Sequence, residues 1–203
     1  MKKLFLKYSL KIVSDYYPNY DEDKLDEIRY GLEATYLSLT KTFVILVVCC
    51  ILGIIKEALI LLVLFNFLRL TGFGLHASKS WMCWVSSSIT FIGIPFLCRS
   101  VTVPNYILCS VCIICILCFF LYAPADTKKR PLIYANRRLI YKIITVTIGI
   151  FYTVLVFLVD NSLIQNELVC AMLIESVLIH PLTYKVFKLS YNNYKTYVLA
   201  KNS

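Results

Sequence analysis

Charge is scarce in this chain. Only 16% of its 203 residues are Asp, Glu, Lys or Arg, against 59% hydrophobic. A soluble domain carries about a quarter charged residues and about half apolar ones, so the composition excludes that class and indicates an integral membrane protein. Histidine occurs only twice, and no motif calls for a metal, a nucleotide or any other cofactor. No Cys-x-x-Cys lies in a polar loop, which argues against disulfide exchange. The start, MKKLFLKYSLK, lacks an uninterrupted apolar core and a small-residue cleavage site, so it reads as retained rather than as a secretory signal. The basic residues flank apolar runs and form no soluble module, which excludes nucleic acid as a partner.

What is present is a set of apolar runs: Thr42–Ile55, Ala58–Leu68, Met82–Leu97, Pro104–Tyr122, Ile143–Val159 and Leu168–Tyr184. Read as about six transmembrane helices from a cytoplasmic N-terminus, they leave only Lys56 and Arg99 among the basic residues outside, as the positive-inside rule requires. The other 19 of the 21 Lys and Arg then fall inside or at the inner interface of a chain with formal net charge +9. The expectation is an all-α, multi-pass plasma-membrane protein with both termini cytoplasmic. It reads as a single domain over 1–203: interfacial helices over 1–41, a membrane core over 42–184 and a cytosolic basic tail over 185–203. The first two runs are short. Thr42–Ile55 would span about 21 Å as a helix, against a hydrocarbon core of about 30 Å. They are two thinned passes or a hairpin dipping in from the cytosol.

Before them, Leu4, Tyr8, Ile12 and Val13 lie near one helical face, and Lys3, Lys7 and Lys11 on another. That pattern suits an amphipathic helix on an anionic leaflet. After the break at Tyr17-Pro18-Asn19, the acids of DEDKLDE favour a helix start, and Leu25, Ile28, Leu32, Tyr36 and Leu39 follow at helical spacing.

There are nine cysteines. Cys109, Cys112, Cys115 and Cys118 have a spacing seen in iron–sulfur sites. On a helix, however, each step of three residues drifts by about 60°, so they cannot face one cluster and read as small hydrophobes. Cys83 differs. It lies at the edge of the polar, glycine-bearing stretch RLTGFGLHASKSWMC with His76 nearby. A thiol and an imidazole are the minimum for nucleophilic cysteine chemistry. Ser80 is placed to N-cap a helix starting at Trp81. Cys83 then falls in its first turn, where unpaired N–H groups and the helix dipole favour a thiolate and could cradle an oxyanion. On one unbroken helix His76 would lie about 10.5 Å away along the axis, so a turn at Gly72 and Gly74 must fold it back. The alternative for both glycines is helix termination alone.

The segment Arg69, Gly74, His76, Ala77 and Cys83, with the loop YAPADTKKRPL over Tyr122–Leu132, resembles the accessory gene regulator B family of membrane cysteine endopeptidases. That family usually carries two consecutive glycines before x-His; here Phe73 takes the first place and Gly72 lies one position earlier. The resemblance implies that Cys83 is the nucleophile and His76 the general base, then acid. It implies cleavage of the C-terminal tail from a quorum-sensing precursor peptide through an enzyme thioester, followed by closure of a thiolactone or lactone ring. It also implies a homodimer. Supporting roles fall to Gly74, Ser80 and Asp126, the last able to orient His76 or to cap its own turn. Arg69, Lys128, Lys129 and Arg130 are candidate contacts for the precursor's acidic C-terminal tail, with lipid headgroups as the other reading of the basic loop. Glu175 lies inside the last run and His180 near its inner end; an embedded glutamate needs a partner, such as Lys185 or a second copy. The competing class is a small multispan transporter or exporter of a peptide or ion. It is ranked second because no internal repeat is visible.

Overall fold

A computed structural model describes residues 2–18, 20–75, 80–127 and 132–195. Every regular element among them is helical: α1 (Lys2–Tyr16), α2 (Glu22–Ile51), α3 (Ile55–Gly72), α4 (Ser80–Ser88), a π-helical turn (Ile89–Gly93), α5 (Ile94–Ser100), α6 (Asn105–Tyr122), α7 (Ala135–Leu158), α8 (Ser162–Ile179) and α9 (Pro181–Val186). Five stretches are long and apolar enough to cross a membrane: Lys24–Ile51, Trp81–Ser100, Asn105–Tyr122, Ala135–Leu158 and Ser162–Ile179. The chain divides into two compact units, Met1–Ile51 and Leu52–Ser203.

In the first unit α1 packs on α2, with the Phe5 and Tyr36 rings 5.2 Å apart. Asp21 caps α2 by accepting from the Lys24 N–H at 2.9 Å. The apolar run beginning at Thr42 is not a separate short pass. It is the second half of the 30-residue α2, because no breaker separates it from the polar half. Thus the segment expected to be wholly interfacial shares a helix with a membrane-length stretch.

The second unit is built around α8, which packs on α3, α5, α6 and α7. Leu61, Leu68, Phe119, Val156, Leu168 and Met172 lie at its centre. Cys112 and Cys115 are fully buried there, Cys118 is half-buried and Cys109 faces outward, as expected of small apolar side chains spiralling round a helix. Gly149 lets α7 approach α6: a β-carbon there would sit 2.8 Å from the Phe119 ring. Two polar ties fasten α7 to α3. The Tyr152 hydroxyl donates to the Leu64 carbonyl at 2.9 Å, and the hydroxyls of Thr145 and Thr71 meet at 2.9 Å.

The span Trp81–Ser100 contains the π-turn. Pro95 has no N–H to give the preceding turn, and its ring crowds the carbonyl four residues back. The wider turn relieves this, with the Ile94 N–H reaching the Ile89 carbonyl. At the far end of this span Arg99 donates to the Gly53 carbonyl at 3.1 Å and lies 4.0 Å from Glu57. The start of α3 and the end of α5 therefore share one end of the bundle. The end of α3 and the start of α4 share the other.

Candidate functional site

That second end gathers the chain around Phe73–Leu75, the three residues before His76. Phe73 and Gly74 both take positive φ, +61° and +81°, which turns the chain back off α3. Three neighbours then hold the turn. The Gly74 N–H donates to the Ala125 carbonyl at 2.9 Å, the Ala125 N–H donates to the Gly72 carbonyl at 3.0 Å, and the Leu75 N–H donates to the Leu178 carbonyl at 3.0 Å. The Leu178 carbonyl is one of the four left unpaired at the end of α8, so the turn supplies a donor that the helix lacks. The APAD segment at 123–126 and the RLTGFGL segment are thereby stitched into one layer.

Arg69 completes the wrap. Its Nη2 donates to the carbonyl of Gly74 at 3.3 Å and to that of Leu75. Its Nη1 lies 3.7 Å from Oε2 of Glu175, whose side chain is 0% exposed. Lys185 is therefore not the partner of Glu175. Arg69 is, although it lies far away in sequence. Both glycines are explained by this pair rather than by helix termination alone. A β-carbon at Gly72 would sit 2.3 Å from Glu175 Oε1; one at Gly74 would sit 2.6 Å from Arg69 Nη1 and 2.9 Å from the Leu178 carbonyl oxygen. Phe73 holds a backbone conformation that favours glycine, and its ring packs edge-on against Tyr141 at 5.0 Å.

Asp126 is 3% exposed. Its Oδ1 accepts from the Asn193 N–H at 2.9 Å, and its Oδ2 from the N–H of Tyr194 at 2.7 Å and of Leu132 at 3.4 Å. The carboxylate thus folds the C-terminal segment onto this loop. The Tyr184 hydroxyl reaches the carbonyls of Ala125 and Asp126 at 3.4 and 3.3 Å, and Tyr191 donates to the Tyr122 carbonyl. Burial pushes the Tyr184 phenol up, and burial followed by the neighbouring Tyr122 pushes Tyr191 up to about 12, so both remain protonated donors at neutral pH. His180 accepts from the Leu182 N–H through Nδ1 and packs its ring on Tyr122; it caps α9.

α4 begins at Ser80, one residue before the start at Trp81 that the sequence suggested, so Ser80 is its first residue rather than its cap, and Cys83 lies in that first turn, partly exposed. The Cys83 carbonyl accepts from the Ser86 hydroxyl at 3.2 Å. The Ser80 side chain, His76, Lys128, Lys129 and Arg130 lie outside the described residues. Arg69, Gly74 and Asp126 are thus brought together in one layer, with Cys83 at the same end of the bundle. Beside this layer is a cavity of about 480 Å³ whose lining includes Tyr122, Pro124, Arg138, Lys142, Tyr191 and Tyr194. The Arg138 guanidinium lies 3.6 Å over the Tyr194 ring and Lys142 4.9 Å over Phe120.

The model of the accessory gene regulator B family matches residues 7–183. The chain belongs to the accessory gene regulator B family. It is 32% identical over 171 residues to a putative AgrB-like protein of Clostridium acetobutylicum, covering 84% of this chain and 82% of that one. A putative AgrB-like protein of Listeria monocytogenes is 28% identical over 177 residues, 87% of either chain. The accessory gene regulator protein B of Staphylococcus epidermidis is 27% identical over 165 residues, 81% of either chain. No solved structure matches significantly. Membership of the accessory gene regulator B family and the five membrane-length helices make this a multi-pass membrane protein of a quorum-sensing, peptide-processing family.

The sequence offered Arg69 as a contact for the precursor's tail and Glu175 as an embedded charge, but not as partners. Glu175 carried a signal, being a charge inside an apolar span. Arg69, at the end of another apolar run, carried the complementary one. Nothing in the sequence paired them.

Proposed function

We propose that this protein is a cysteine endopeptidase that removes the C-terminal tail of a precursor peptide. Cys83 attacks the scissile carbonyl, and His76 takes the thiol proton and returns it to the leaving amine. The product is an enzyme thioester, which a thiol or hydroxyl within the peptide then attacks to close a thiolactone or lactone ring. Thiol-to-thioester exchange is nearly isoenergetic, whereas hydrolysis is strongly downhill, so a site at a membrane interface that limits water favours cyclisation. The observation that carries this reading is the placement of Cys83 in the first turn of α4, at the bundle end where the residues leading to His76 are held by Arg69, Ala125 and Leu178. In a first turn, unpaired backbone N–H groups favour a thiolate and an oxyanion.

The cavity bearing Arg138 and Lys142 is lined by no acidic residue among the described residues and suits the acidic tail of the precursor. The basic residues Lys128, Lys129 and Arg130 would extend the same attraction. The proposed orientation puts this end on the cytoplasmic face of the plasma membrane, and the working form is a homodimer.

The deciding experiment uses the protein in liposomes with a candidate precursor, following tail release and covalent mass for the wild type, Cys83→Ala and His76→Ala. The expected result is an acyl adduct on the wild type, none on Cys83→Ala, and tail release slowed by a factor of about 10² or more in His76→Ala. Cleavage by Cys83→Ala at the wild-type rate would overturn the assignment.

A further inference from the structure

Away from the candidate site, two thiols face each other across α5 and α8. Cys98, in the last turn of α5, and Cys170, in the middle of α8, have Sγ atoms 3.7 Å apart. Cys98 is 5% exposed and Cys170 partly exposed. Two further features build the surroundings. Asn166, one helical turn before Cys170, donates its side-chain amide to the carbonyl of Cys98 itself at 3.3 Å and to that of Val101 at 2.6 Å. The backbone carrying one thiol is therefore tied to the helix carrying the other. Glu167 is 0% exposed, and neither of its carboxylate oxygens has a hydrogen-bond partner among the described residues.

We propose that Cys98 and Cys170 form a dithiol site that small, membrane-permeable disulfide oxidants convert to a disulfide joining α5 to α8. The sulfurs, already 3.7 Å apart, need to close to about 2.05 Å. Cys170, the more accessible, attacks one sulfur of the oxidant. Its proton leaves with the expelled thiolate, which becomes a free thiol, leaving a mixed disulfide on Cys170. The Cys98 sulfur then attacks the Cys170 sulfur and expels the second thiolate, which takes the Cys98 proton. Two protein S–H bonds are lost, one S–S bond is formed, and one oxidant disulfide is reduced to two thiols. The bond would tie the span whose other end carries Cys83 to the helix whose Leu178 carbonyl holds the turn before His76.

The test needs no precursor peptide, so its outcome is separate from that of the peptidase reading. The full protein in nanodiscs is treated with dipyridyl disulfide and alkylated, then digested without reduction. The expected result is a linked pair of fragments containing Cys98 and Cys170, beside simple pyridyl adducts on exposed thiols such as Cys50 and Cys109. Linkage should form at least ten times faster than in protein unfolded in dodecyl sulfate. Cys98→Ser should stop at the mixed disulfide, while Cys112→Ser should link as the wild type does. Equal rates in folded and unfolded protein would overturn the proposal. So would an oxidant adduct on wild-type Cys170 that never resolves, or linkage through other cysteines. The wild-type fragment map decides the matter even if a serine variant fails to fold.

Discussion

Replacing Gly72 by alanine sets two effects of known size against each other. Alanine at the end of α3 gains at most about 1 kcal/mol of helix propensity over glycine. Against this, the new methyl would stand 2.3 Å from Oε1 of Glu175, 3.2 Å from its Cδ and 3.3 Å from its Cγ. The carboxylate is the end of a flexible side chain, but it is 0% exposed and faces Arg69 at 3.7 Å, so it has no route to solvent and must move off its partner. Breaking a buried pair while leaving the charge in place costs about 3–5 kcal/mol. Overlap should therefore win by about 2–4 kcal/mol, since the propensity gain offsets only a small part. The assay is thermal unfolding of the purified protein in detergent, with the rate of Cys83 alkylation as a local probe of the site end. The double variant Gly72→Ala/Glu175→Asp supplies the decisive check. Shortening the acid by one methylene withdraws the carboxylate from the methyl, so the double variant should be more stable than Gly72→Ala alone. This is non-additivity of the kind that contacting residues show. Gly72→Ala as stable as the wild type, or a double variant less stable than either single one, would refute the account of the Arg69–Glu175 pair.

Gly74→Ala should be more damaging than Gly72→Ala, because a methyl there meets the backbone oxygen of Leu178 at 2.9 Å and φ is +81°. The same unfolding assay should show a loss of at least about 2–3 kcal/mol, and a loss smaller than that of Gly72→Ala would count against the geometry. Phe73→Gly exchanges about 1–3 kcal/mol of relieved strain for the edge-on contact with Tyr141, worth about 0.5–1.5 kcal/mol, so it should be neutral to mildly stabilising; a clear destabilisation would show that the ring does more than pack. Asp126→Ala removes the acceptor of three backbone N–H groups and should raise amide exchange at Leu132, Asn193 and Tyr194 together, whereas protection retained at Asn193 and Tyr194 would deny Asp126 its place as their anchor.

Much of the helical architecture could be read from composition and hydropathy, because burying a backbone in lipid leaves few alternatives to a helix. The boundaries were harder. Hydropathy marks where a chain becomes apolar, not where a helix begins. It therefore split α2 at Thr42, missed the polar opening turns of α7 before Ile143, and started the last span at Leu168 although Asn161 caps it by accepting from the Ile164 N–H at 3.2 Å. Pro95 was visible as a breaker, but the π-turn that accommodates it was not. At the site end, the spacing of Gly72, Gly74 and His76 showed that the chain must turn back. The reason glycine is required was hidden, because it lies in Glu175, on a helix far away in sequence. Phe73 could be seen as a departure from the family pattern. Only the structure shows that it keeps the positive φ that a glycine there would supply.

These contacts make α8 the reference element for both parts of the candidate site. The turn leading to His76 hangs from its last carbonyls and its buried acid, through Leu75 and Arg69. The span that carries Cys83 near its start is fastened to α8 near its other end, where Asn166 holds Cys98 and Val101, and the π-turn and Pro95 lie between that anchor and the thiol. A residue far along a span fixes the opposite end only as firmly as the helix between them is stiff, and a π-turn is a common point of compliance. The turn before His76 is thus held directly by α8, whereas a π-turn separates the Asn166 tie from the Cys83 turn. Substitutions at Gly72, Gly74 or Glu175 should therefore act by displacing the histidine-bearing turn. Inserting one alanine after Val85, in the regular turns of α4, would instead rotate Cys83 by about 100°, abolishing precursor cleavage while leaving the Arg69–Glu175 layer, and the amide protection it gives Leu75 and Ala125, intact.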